Sequence, residues 1–244
     1  MLLRLLNSER NLNSDNLPTL QQLLEGDLPE AGVHFLFEDS ELRRCGDILR
    51  VVNIGSHRVS DGSKAKLKDR LRTHAGPKTL KGSHRSSILR QYIGDAIGGQ
   101  DPKKWELAMT TWGRGGKVPS KDVRNHEMDL EEEVSRVINE MRILVLPVHD
   151  RATRESDRAF IVQNAVALLG WDPYDRPSGS WLGNFSSNKQ IASNGLWNIA
   201  HLHEPVSSQF IRVIDGLVNV NQSGGPMPTF SLAPSNWKGS RYID

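Results

Sequence analysis

One cysteine, Cys45, is all that the sequence contains, so no internal disulfide can form and nothing points to an oxidising compartment. Long apolar runs are missing as well. No stretch approaches the ~18 residues of a membrane helix. The opening Met1-Leu2-Leu3-Arg4-Leu5-Leu6 is too short, and broken too early by Arg4, for the apolar core of a secretory signal. A cytoplasmic protein with no membrane association is the expectation. Aromatic residues are sparse at 6%, although six of them are Trp. Net charge is nearly absent, +2 in total, which on its face argues against a nucleic-acid partner. What remains is 244 residues with 37% hydrophobic types, enough for a buried core in one large domain or in a core with an appendage.

The small total hides a segregation of charge. From His57 to Arg90, ten Lys and Arg face only Asp61 and Asp69. That is a local +8 in 34 residues, which leaves the other 210 at −6 within the total of +2. Three of the eight histidines share the segment. A local excess of this size is a phosphate-binding footprint or a lysine-rich solvated face.

Periodicity sets the element order. Residues 1–18 are rich in Asn and Ser and read as loosely ordered, with Thr19 capping a helix that carries Leu20, Leu23 and Leu24. Gly32 to Phe37 and Ile48 to Gly55 read as two strands, close enough in sequence for antiparallel pairing. Ser63 precedes a basic helix over Lys64 to His74, stopped by Gly76-Pro77. Arg70 and His74 are four apart and share a face of it. A Gly/Ser loop from Lys81 to Ser87 leads to a helix through Ile88 and Ile93. Residues 98–121 look like a surface insertion anchored by Trp105 and Trp112, and Asp129 begins a helix to Met141. Arg142 to Val148 is a third strand, and Ser156 caps an almost uniformly apolar helix ended by Gly170. A weak helix covers 210–217. Three parts follow: an N-terminal segment 1–28, a core 29–170 with an insertion at about 98–128, and a C-terminal extension 171–244 packed on the core. Glu131-Glu132-Glu133 reads as a solvated face, and Trp171, Trp181 and Trp197 as packing residues. His201 and His203 have ligand-like spacing but no third partner in register.

Several short motifs occur in a telling order. The first strand opens Gly32-Val33-His34, the second closes Asn53-Ile54-Gly55, and the helix after them reads Arg70-Leu71-Arg72-Thr73-His74. Further on come Gly55-Ser56-His57, Gly82-Ser83-His84-Arg85-Ser86-Ser87-Ile88, Trp181-Leu182-Gly183 and Gly195-Leu196-Trp197-Asn198-Ile199-Ala200-His201. Over roughly residues 29–210 this pattern resembles the GIY-YIG nuclease superfamily, in particular a bacterial branch carrying G-[ST]-H and G-x-H-R-x-S-I.

That resemblance implies an α+β fold: a small mixed or antiparallel three-stranded sheet flanked by helices, here with helical insertions and a loop-rich C-terminal extension. It implies hydrolysis of DNA phosphodiesters with Mg²⁺ or Mn²⁺, in defence or DNA processing. By the same resemblance His34, His57, Arg70 and His74 form the catalytic set, with Arg70 on the scissile phosphate. Arg58, Lys64, Lys66, Arg72, His84 and Arg85 are the expected DNA contacts. Three positions depart from the pattern. His34 replaces a tyrosine, and a histidine can serve as base because it titrates near neutrality. Asn53 replaces a second tyrosine and cannot titrate. Val162 falls where a metal-binding glutamate is expected, and valine has no oxygen for Mg²⁺. The metal ligand is therefore unassigned. The alternative is an impaired nuclease fold that binds nucleic acid without cutting.

Overall fold

The computed structural model describes residues 2, 6, 12–44, 48–57, 65–114, 120–173, 175–223, 233 and 237–239. Its elements in chain order are α1 (Leu20–Glu25), β1 (Gly32–Leu42), β2 (Leu49–Gly55), α2 (Leu67–Ala75), α3 (Ile88–Gln100), α4 (Glu106–Met109), α5 (Lys121–Glu140), β3 (Arg142–Pro147), α6 (Asp157–Leu169), α7 (Lys189–Asn194) and α8 (Phe210–Ser223). The sheet order is β2-β1-β3, and β1 runs antiparallel to both neighbours. The sheet is therefore wholly antiparallel rather than mixed.

Strand alternation divides the molecule into two layers. Val33, Phe35 and Phe37 point into a layer closed by Phe160, Ile161, Val162 and Val166 of α6 and by Phe210, Ile214 and Leu217 of α8. Leu36 points the other way, into a layer built with Leu67, Leu71 and Ala75 of α2, Leu89 and Ile93 of α3, and Leu130, Val134 and Ile138 of α5. Each fully buried large apolar side chain contributes about 1.5–3 kcal/mol. His34 pairs with Gly55 on one side and Val145 on the other, and Val145 packs with the second layer. His34 thus faces α2 and has its back to α6.

Both outer strands are covered, which removes the exposed edges that invite further pairing. On the β3 side, Ile143 N donates to Pro18 O at 3.0 Å and Leu20 N to Met141 O at 2.8 Å. On the β2 side, Trp197 N donates to Val52 O at 2.7 Å. Beside it the Asn198 amide accepts from Ile54 N at 2.9 Å and donates to Ile54 O at 2.8 Å, imitating one residue of a fourth strand.

Several expectations need correction. The N-terminal segment is not a loose tail: Leu2, Leu6, Leu12 and Leu17 are buried in the first layer. α5 begins at Lys121, capped by Ser120 accepting from Val123 N, eight residues before Asp129. Glu131 is not on a solvated face but is 5% exposed and tied to Arg90 and His84. Trp171 is half exposed, whereas Trp181 and Trp197 are buried. Among the described residues no helix is long and apolar enough to cross a membrane.

Candidate nuclease centre

The two strand motifs owe their glycines to close approach. A Cβ on Gly32 would lie 2.7 Å from Leu146 O across the β1–β3 pair. A Cβ on Gly55 would lie 2.6 Å from Cε1 of His34, whose ring lies over that position. Glycine at 55 thus makes room for the imidazole at 34.

Around His34 the structure gathers the rest of the predicted catalytic set. Leu67, Leu71 and Ala75 are one buried stripe of α2, and docking that stripe turns Arg70 and His74 toward the sheet. The His74 and His34 rings meet edge to face with centroids 5.9 Å apart. Burial, then the Arg70 charge, then His57, lower the His34 pKa to about 3. Burial, then Arg70, then His34 and Arg90, hold His74 well below the usual imidazole range. His34 and His74 are therefore uncharged at neutral pH. Arg70 is half-buried and has no ion-pair partner among the described residues. Both His34 ring nitrogens are buried without a hydrogen-bond partner among those residues. Such atoms carry a desolvation cost that a water or a ligand normally offsets.

The surrounding side chains hold this arrangement. His74 Nδ1 and Ser87 Oγ are 2.7 Å apart, and Ser87 also caps α3. Arg90 Nη1 donates to His74 O at 2.9 Å while Nη2 bonds Glu131 Oε2 at 2.6 Å and Ser135 Oγ at 2.9 Å, so one buried guanidinium locks the end of α2 to α5. Burial pushes Glu131 up, but His84 and Arg90 outweigh it and leave the carboxyl below its ordinary value. His57 follows β2 and is held from the first turn of α6: Arg158 Nη1 donates to His57 O at 2.7 Å and lies 3.5 Å from its Nε2. Arg158 is itself fixed by Asp150, whose Oδ2 accepts from Arg158 N at 3.0 Å and whose Oδ1 meets Nε. Sequence reasoning missed Arg90, Arg158 and Asp150. An arginine is read as a surface charge unless its carboxylate is known, and no local spacing announces either pair.

The predicted DNA contacts fare unevenly. His84 is buried, stacked on Trp112 with centroids 3.9 Å apart. Gly113 N donates to its Nε2 at 3.2 Å, so Nδ1 carries the proton that reaches Glu131 Oε1 at 2.8 Å. Arg85 is paired through both amino nitrogens with Glu127. Both residues are committed to carboxylates of α5, onto which the loop turns them. Arg72 is exposed, with only Asp69 at 3.9 Å, and Lys66 is exposed and pairs with Glu30 at 2.8 Å. Arg58 and Lys64 lie outside the described residues, as does the Gly115–Lys117 part of the basic loop. Asn53 Nδ2 donates to Asn198 Oδ1 at 3.2 Å and serves the β2 edge.

A three-stranded antiparallel sheet with this helix order, and an arginine and three histidines gathered where β1 begins and β2 ends, make up an α+β domain of the expected type. Residues 4–223 match the GIY-YIG domain family, and the chain belongs to it. Its members are generally endonucleases that act on nucleic acid with a divalent metal. No curated protein and no solved structure gives a significant match.

The described residues do not fit the family's metal. Val162 is 4% exposed within the first layer, on the opposite face of the sheet from His34. Among the described residues no three His, Cys, Asp or Glu side chains come together as a ligand set. The carboxylates reached through the centre's supports, Asp150 and Glu131, are committed to Arg158 and to Arg90 with His84.

Proposed function

We propose that this chain is a DNA endonuclease whose centre is His34, His57, Arg70 and His74, with Arg70 taking the phosphodiester. One observation carries the reading: a half-buried guanidinium with no carboxylate partner among the described residues, set against buried histidines. There it is an anion site, and its planar donors match two phosphate oxygens. The same donors meet the charge that builds on those oxygens as a nucleophile adds. His34 offers a lone pair to orient attacking water. With a pKa of about 3 it is a weak base in the free protein. A bound phosphate anion opposes the Arg70 charge and raises that basicity when substrate is present.

Val162 favours a second reading, in which the same centre binds DNA without cutting it, since the position that should carry a carboxylate lies in an apolar layer. Supercoiled plasmid incubated with Mg²⁺, with Mn²⁺ or with chelator separates the two, alongside duplex binding. Nicking that disappears in Arg70→Ala supports the endonuclease. Salt-sensitive binding with no nicking in any metal supports the binder. Neither nicking nor binding refutes both.

A further inference from the structure

Two hollows lie on either side of the loop after α2, away from His34. One, about 700 Å³, opens between α1, the end of α2 and the loop, with Arg72, Lys78 and Lys81 in its wall. The other, about 670 Å³, opens between the loop and the first turns of α5, with Lys81, Lys121 and Arg124. Lys81, Gly82 and Ser83 line both, so the loop is a ridge shared by the two.

The ridge is fixed. Ser135 Oγ donates to Leu80 O at 2.7 Å. Gly82 closes directly over the Arg90 guanidinium, where any side chain would collide. The acids in the walls are largely spent. Glu127 is taken by Arg85, and Glu131 by Arg90 and His84. Lys78, Lys81, Lys121 and Arg124 are exposed with no ion pair among the described residues, against the single uncommitted carboxylate of Glu25.

We infer that these two hollows form one basic channel that holds the phosphate backbone of nucleic acid flanking the bond at Arg70. The inference rests on the proposed function and adds to it a second contact surface. Cations spaced along a rigid, open groove suit a ligand that repeats its negative charge. Arg72, in the wall of the first hollow, lies two residues from Arg70 and about 200° around α2, so a strand gripped at the centre reaches the channel by passing around that helix. Its five cations come from α2, the loop and α5, and two of them, Lys121 and Arg124, lie outside the basic run that the sequence singles out.

The test is the salt dependence of binding of a labelled ~20-base-pair duplex to the full chain, from about 50 to 200 mM salt. Replacing Lys78, Lys81, Lys121 and Arg124 together by alanine should lower the slope of log K against log salt by about 3 to 4, and Lys81→Ala alone by about 1. A dinucleotide phosphodiester, too short to reach the channel, should still perturb the imidazole signals of the centre in the fourfold variant. An unchanged slope with the dinucleotide contact intact overturns the channel and leaves the centre standing. A reduced slope with no dinucleotide contact even in the parent protein supports the channel and refutes the centre. Polyglutamate binding as strong as duplex, with the same loss in the variant, would make this a docking surface for an acidic protein and overturn the inference.

Discussion

His34 gives the sharpest quantitative test of the centre. Its folded pKa of about 3 lies below the ordinary 6.5 because burial, Arg70 and His57 all oppose protonation. Between those two values the unfolded chain binds a proton that the folded chain refuses. Stability is therefore full above pH 6.5 and falls as pH drops through the window. Each pH unit is worth about 1.4 kcal/mol, so at pH 5 the folded state has lost about 2 kcal/mol through this residue, approaching roughly 5 kcal/mol near pH 3. His74, shifted in the same direction, adds its own share. The assay is urea unfolding followed by Trp fluorescence, with Trp181 and Trp197 as buried reporters. His34→Gln keeps a polar side chain but cannot titrate. Comparing the two proteins across pH cancels the titrating groups that His34 does not influence. The parent should lose about 2 kcal/mol more than the variant between pH 7 and pH 5. Parallel curves would show that His34 is not held uncharged and would remove the electrostatic argument for the centre.

Four further substitutions test the account. Arg90→Met leaves the buried Glu131 with His84 alone and should cost about 3–5 kcal/mol by urea unfolding, whereas Lys66→Ala, removing an exposed pair with Glu30, should leave the midpoint unchanged. Gly55→Ala places a methyl 2.6 Å from the His34 ring; unfolding should show a loss of about 1–3 kcal/mol, and duplex binding should weaken with it. Val162→Glu puts a carboxylate into the apolar layer behind the sheet. It should lower the melting temperature and add no metal-dependent plasmid cutting to that of the parent, and a gain of cutting would show that α6 presents this position to the centre.

Short-range patterns were legible in the sequence and long-range pairings were not. The apolar run with β-branched and aromatic members over Gly32 to Phe37, and the Ser156 cap, located β1 and α6 because runs and caps are local properties. The four-residue spacing of Arg70 and His74 placed both on one face of α2, which the structure turns toward His34. The inward turn of His84 and Arg85 could not be read, since it depends on Glu127 and Glu131 more than forty residues away. Nor could the strand-like role of Asn198, which meets Ile54 across 144 residues. The Asn- and Ser-rich beginning looked loose because composition averages over residues, whereas four leucines among them suffice to join the core.

The central claim is that Arg70 and the histidines around it receive a phosphodiester. Histidine ring signals followed by NMR during titration with a dinucleotide phosphodiester test it most directly. The signals of His34, His57 and His74 should move together, those of His84 and His203 should stay, and Arg70→Ala should abolish the change. Shifts spread over all the histidines, or shifts that persist in Arg70→Ala, would contradict it.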